Sequence, residues 1–256
     1  MPRRFCLLLP ALLLCLSLLP AAAAEEGAPF TDSASGLTFR LLPASGTAEV
    51  TAGSYTGERY IIPKTVTHNG TVYPVTAIGS GAFFGCSALK EVTIPNSVTK
   101  IGYQAFYSCR ALEQITLPPG LTAIREATFY HCDSLTAIHI PNAVAVLEQQ
   151  AFSCCGRLSS VTFGPRSQLK TVGPQAFDYC VSLTDMALPE SVTAVGALAF
   201  ASCADLETVT LPAGASLDPT ALLNCPAHVT VTLPDCSFLR LSSLLFRVYG
   251  LILPPV

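Results

Sequence analysis

Phenylalanine recurs at positions 83, 106, 129, 152, 177 and 200, at intervals of 23, 23, 23, 25 and 23 residues. A fixed period of this length restricts the possible folds more than any other feature of the chain. It indicates one supersecondary unit stacked on copies of itself, because no single unit can bury its apolar side alone. Other columns keep step. A cysteine follows each phenylalanine by three residues (Cys86, Cys109, Cys132, Cys155, Cys180, Cys203), and a leucine follows each cysteine by three (Leu89, Leu112, Leu135, Leu158, Leu183, Leu206). An aliphatic residue precedes the phenylalanine by five (Ile78, Ile101, Ile124, Leu147, Val172, Val195). Pro95, Pro118, Pro141, Pro189 and Pro212 close the following segment, and a degraded seventh unit carries Leu222, Cys225 and Pro234 in the matching columns.

Within one unit, LKEVTIP (Leu89 to Pro95) sets Val92 and Ile94 on one face and Glu91 and Thr93 on the other. Alternation rich in β-branched residues and ended by proline predicts a short strand. NSVTKIG then supplies a turn and a second extended piece with Val98 and Ile101 inward, and YQAFYSC a compact helical or 3₁₀ turn carrying Ala105, Phe106 and Cys109 to the core. Strands stacked at ~4.8 Å predict a parallel sheet roughly 30 Å long over six or seven coils. The two extra residues in GPRSQ (164–168) fall in a turn, where insertion costs little.

Written as IPxSVTxIGxxAFxxCxxLxxVTIP, these columns resemble the BspA-like class of leucine-rich repeat over about residues 60–234. The pattern departs at Leu222, where phenylalanine is expected, and at Arg166, where the strand-ending proline is missing. The resemblance implies an α/β leucine-rich repeat solenoid. It also implies kinship with bacterial or protist surface proteins implicated in adhesion to matrix proteins and other cells.

Four segments are expected. Residues 1–24 read as a secretory signal peptide: Arg3 and Arg4 precede an apolar run from Phe5 to Leu19, and Ala21 to Ala24 offer a small-residue cleavage site. The run is shorter than the ~20 residues of a membrane anchor. Residues 25–59 form an N-terminal cap, with a hairpin between Gly36 and Ala52 that covers the open end of the stack. The solenoid spans 60–234. Residues 235–256 form a C-terminal capping helix, since Phe238, Leu241, Leu244, Leu245, Val248 and Ile252 recur at helical spacing. A membrane-surface helix is the alternative, but its polar face holds only Arg240 and Arg247 as cations.

Loss of Arg3 and Arg4 leaves 12 basic residues against 17 acidic, a net charge of −5, with the cations scattered. A phosphate-binding surface gathers positive charge on one face, so nucleic acid is excluded as a partner. Nine cysteines remain after cleavage, and seven belong to the repeat, where a small buried hydrophobe fits the turn. Cys154 and Cys236 lie off the column and are expected either to pair or to be the reactive thiols. No Cys/His spacing suits zinc, and no cofactor is expected. His68, His131, His139 and His228 are scattered and none is spaced to activate a nucleophile, so no catalytic residue is assigned and the chain is read as a non-enzyme.

The informative positions are those the stack does not need. The residue after each repeat phenylalanine is Phe84, Tyr107 and Tyr130 in three successive units, then Ser153, Asp178 and Ala201. With Tyr103 and His131, the first three predict an aromatic binding stripe on the turn side, although stacking that only stabilises the fold would read the same. The expectation is a secreted or cell-surface module that binds an extracellular or host-surface protein or glycan, with a ligand-free structural spacer as the alternative. Membrane association after signal cleavage is not expected.

Overall fold

The computed structural model describes residues 27–232; the expected signal peptide, the C-terminal helix and Cys236 lie outside them. Each coil contributes a strand to two parallel ladders and closes through a turn. The first ladder takes Arg59–Ile61, Glu91–Thr93, Gln114–Ile115, Ala137–Ile140, Ser160–Phe163, Asp185–Ala187, Thr208–Thr210 and Thr230–Thr232. The second takes the end of Thr71–Ile78, then Lys100–Ile101, Ala123–Ile124, Val146–Leu147, Thr171–Val172, Ala194–Val195 and Ser216–Leu217. Register follows the repeat: Glu91 faces Gln114, Ala123 faces Val146, and Val146 faces Thr171 across the 25-residue unit. The alternation expected of LKEVTIP holds, with Val92 and Ile94 buried and Glu91 and Thr93 exposed.

The ladders are not continuous. The first is interrupted after Gln114–Ile115 and again after Ser160–Phe163, and the second after Lys100–Ile101. The gap after Ser160–Phe163 contains the 164–168 insertion, which stays on the outside and is tied down by Arg166 N–H donating to Asn142 Oδ1 at 3.3 Å and Gln168 N–H to the Asn142 carbonyl at 2.9 Å.

The α/β expectation requires correction, because no helix occurs among the described residues. Each turn has two left-handed residues, two before and two after the phenylalanine: Gly81 and Gly85, Gln104 and Ser108, Ala127 and His131, Gln150 and Cys154, Gln175 and Tyr179, Leu198 and Ser202, with φ from 50 to 71°. Left-handed residues every fourth position break the i to i−4 pattern a helix needs. N–H groups of the turn point instead to the next coil: the left-handed Gln104 and Ser108, and Phe106 between them, donate to the carbonyls of Glu126, Tyr130 and Thr128 at 3.0, 2.7 and 2.9 Å. The turn side is therefore a third hydrogen-bonded wall.

All six repeat phenylalanines are fully buried. Consecutive rings stack with centroids 5.2–5.6 Å apart and planes within 8° of parallel. All six column cysteines are buried, and from Cys109 onward each thiol also bonds a carbonyl. Cys109, Cys132, Cys155, Cys180 and Cys203 donate from Sγ to the carbonyls of Phe83, Phe106, Phe129, Phe152 and Phe177 in the preceding coil at 3.1–3.3 Å. That carbonyl already accepts a turn N–H, as from Cys86 to Phe83 at 3.1 Å, and a carbonyl has two lone pairs to offer. No disulfide joins the described cysteines.

At the N-terminal end, Thr38–Leu42 and Thr47–Val50 pair antiparallel, and Thr47–Val50 then joins Thr71–Ile78 in parallel. Tyr55 ends the phenylalanine stack, its ring 4.9 Å from Phe83 and its hydroxyl donating to the Thr51 carbonyl at 2.6 Å. Thr65–His68 and Thr71–Ile78 form a second hairpin through Asn69 (φ 50°) and Gly70 (φ 76°), the left-handed pair that a two-residue hairpin turn requires.

Candidate functional site

The turns place Phe84, Tyr107, Tyr130 and Asp178, each following a buried phenylalanine, toward the outside of the same wall, whereas Ser153 and Ala201 in the same column are buried. Coil spacing then stacks the rings: Phe84 on Tyr107 at 4.7 Å and 3°, Tyr107 on Tyr130 at 4.8 Å and 13°. Tyr130 meets His131 edge-on at 4.7 Å, and His131 Nδ1 lies 3.1 Å from Asp133 Oδ1. Four of the five expected residues, Phe84, Tyr107, Tyr130 and His131, are thus one contiguous group. Phe84 at its end is 54% exposed. Partial burial pushes the Tyr130 hydroxyl above the usual phenol range, and Cys154 of the next coil adds to the shift. Burial also raises the Asp178 carboxyl, against the Tyr179 N–H and Gln175 side chain that stabilise its charge.

Tyr103 stands elsewhere. Its ring lies 5.6 Å from the Arg125 guanidinium, whose Nη1 is 3.5 Å from the tyrosine hydroxyl. With Arg40, Glu49 and Lys100 it lines a groove that no column in the sequence had marked. The polar strand face, by contrast, is largely paired between coils: Lys90 with Glu58 at 2.9 Å, Arg59 with Glu91 at 3.5 Å, His139 Nδ1 with Thr162 Oγ1 at 3.0 Å, and Thr210 with Thr232 at 2.8 Å. Among the described residues no group of three or more His, Cys, Asp or Glu is arranged to hold a metal, and no helix is long and apolar enough to cross a membrane.

Two short parallel ladders, a turn wall and a shared leucine and phenylalanine interior define a β-solenoid of leucine-rich repeats. The BspA type leucine rich repeat region, in six copies, matches residues 65–180 and 170–249, and the chain belongs to that family. Its fold is shared with a leucine rich cell surface protein of Faecalibacterium prausnitzii (24% identity, 82% of this chain and 77% of that one, TM-score 0.50). A leucine rich repeat protein of T. pallidum is 28% identical over 79% of this chain and 85% of its own, with a TM-score of 0.50. The pneumococcal vaccine antigen PcpA superposes with a TM-score of 0.62 at 23% identity, over 74% of this chain and 51% of that one. No curated protein matches the chain.

Proposed function

We propose that this chain is a secreted or cell-surface recognition module, adhesin-like, which binds an extracellular or host-surface protein or glycan through its repeat array. The leader-like residues 1–24 and a family that includes a cell surface relative support the placement. The reading is of a binding protein without catalysis. The observation that carries it is the outer aromatic column. The fold does not need these rings, since Ser153, Asp178 and Ala201 occupy the same column in coils whose buried phenylalanines stack just as well.

The stacking also favours one kind of partner for this column. Faces of Tyr107 and Tyr130 are covered by their neighbours, so the column offers ring edges, phenolic hydroxyls and the open face of Phe84 rather than a row of flat platforms. Such a ridge suits a groove on a protein, where buried tyrosines contribute strongly. Purified protein is to be screened against matrix proteins and glycans, with the Tyr107→Ser/Tyr130→Ser double variant beside it. The variant should lose at least about tenfold in affinity, about 1.4 kcal/mol, while still unfolding cooperatively. Full binding by a folded double variant removes the aromatic column from the interface. Capture of no target by either protein favours the spacer, for which the inter-coil pairing of the polar face would suffice.

A further inference from the structure

Glycine stands four residues before the repeat phenylalanine in four coils, at Gly79, Gly102, Gly173 and Gly196. A Cβ at Gly102 would lie 2.4 Å from the Ser80 backbone nitrogen, at Gly173 2.6 Å from the Leu147 carbonyl oxygen, and at Gly196 2.9 Å from the Pro174 nitrogen. In these three coils the bare backbone lets neighbouring coils approach this closely. Two middle coils depart from this, with Arg125 and Glu148 in the column.

The second ladder is interrupted where the column first acquires a side chain. Elsewhere the N–H in this column donates to the preceding coil: Gly102 to Ile78, Glu148 to Ile124, Gly173 to Leu147 and Gly196 to Val172, each at 2.8 Å. No such bond joins Arg125 to Ile101. Thr122 likewise makes no bond to Thr99, although Thr99 bonds Thr76 and Ala145 bonds Thr122, both at 2.9 Å. Thr128, buried at a position where other coils carry alanine, braces the opening: its hydroxyl donates to the Arg125 carbonyl at 2.8 Å and lies 3.4 Å from that of Gly102.

A groove of about 380 Å³ lies over this break and extends to the N-terminal hairpin, with Arg40, Lys100 and Arg125 as cations and Glu49 as the one carboxylate among its described lining residues. Arg40 Nε is bonded to Glu49 at 2.9 Å, and Arg125 is held by Glu148 at 2.9 Å. Lys100 is exposed and has no side-chain partner among the described residues. The protein as a whole is acidic, so this is a local reversal of sign.

We propose that the groove binds a carboxylate-bearing sugar unit, such as a uronic or sialic acid. The volume lies at the low end of ligand clefts, roughly 300–1,000 Å³, which suits about one or two sugar rings rather than a chain segment. The lining supplies donors and acceptors together: the Thr99 and Thr122 hydroxyls, the unpaired Arg125 N–H and the Ile101 carbonyl. A ring with several hydroxyls uses both kinds, whereas a lone carboxylate uses donors only. Lys100 and Arg125 answer the carboxylate, and the half-exposed Tyr103 ring gives a sugar face something to lie against. The inference rests on the reading of the chain as a recognition module, but at a site separate from the aromatic column.

The test is to titrate the protein with glucuronic acid, N-acetylneuraminic acid and neutral glucose, following ligand saturation transfer and backbone amide shifts. A sialylated trisaccharide in a parallel arm tells a free sugar from a glycan terminus. Acidic sugars should shift Lys100, Tyr103 and Arg125 and bind at least about tenfold more tightly than glucose, about 1.4 kcal/mol. Lys100→Gln should weaken them several-fold without changing the melting temperature. Arg125→Gly removes the second cation facing the carboxylate and should abolish binding. Equal response to glucose, no saturation by either acid, or unchanged binding in a folded Lys100→Gln protein overturns the proposal. The aromatic double variant should keep acidic-sugar binding, so failure here and failure of the aromatic column remain separate results.

Discussion

Two adjacent columns of the turn wall share a backbone and obey different rules. Phe83, Phe106, Phe129, Phe152, Phe177 and Phe200 are invariant and fully buried, while the next residue in each coil runs Phe84, Tyr107, Tyr130, Ser153, Asp178, Ala201. From Phe83 to Phe177 each core ring touches a ring on both sides, so any change leaves a void bounded by two coils, and close-packed interiors tolerate little of that. At Phe84, Tyr107, Tyr130 and Asp178 the outer residue meets its neighbours on one side and water on the other, while the smaller Ser153 and Ala201 are covered. Its identity is free to drift, and with that freedom it can be given to recognition.

The largest break in that contrast is chemical. Burial pushes the thiols of Cys109, Cys132, Cys155 and Cys180 upward, so the neutral form belongs to the folded state. The stability they contribute is complete below the unfolded thiol value near ~8.5 and is lost as pH rises toward the folded values. Each unit above it removes about 1.4 kcal/mol per thiol. Urea midpoints should therefore fall steeply between about pH 8.5 and 10, and a flat profile would mean the column is exposed or bridged. Next in size, Phe129→Ala should cost about 3–5 kcal/mol in chemical denaturation. Tyr130→Ala one residue on should cost about 1 kcal/mol, and equal costs would erase the distinction between the columns. The smallest effect lies in the turn itself. Ala127→Gly relieves a buried residue held at φ 50° and should raise stability by roughly 0.5–1 kcal/mol, seen as a small rise in melting temperature.

Much of the stack was legible in the chain because the interior is shared. A column that repeats at 23 residues announces itself, and the alternation around Val92 and Ile94 fixed the faces of the strand. The helical expectation for YQAFYSC failed for a specific reason. Gln104, Ser108, Ala127 and Leu198 are not residues that signal left-handed backbone, and only the wall of hydrogen bonds to the next coil holds them there. The aromatic column was visible as a pattern, but its ring-on-ring stacking and the separation of Tyr103 from it were not. The groove was hidden because its signal is an absence: the Arg125 N–H makes no bond to the preceding coil, and nothing in the sequence separates it from Glu148, which does.

By itself the sequence determined the period, the inward and outward faces and the repeat class, since those follow from which side chains must leave water in every coil. Tertiary structure alone decided where the ladders break, which thiol meets which carbonyl, and which exposed residues stand together. Such outcomes depend on contacts between coils some 23 residues apart, at separations where a single Cβ decides whether two backbones can meet.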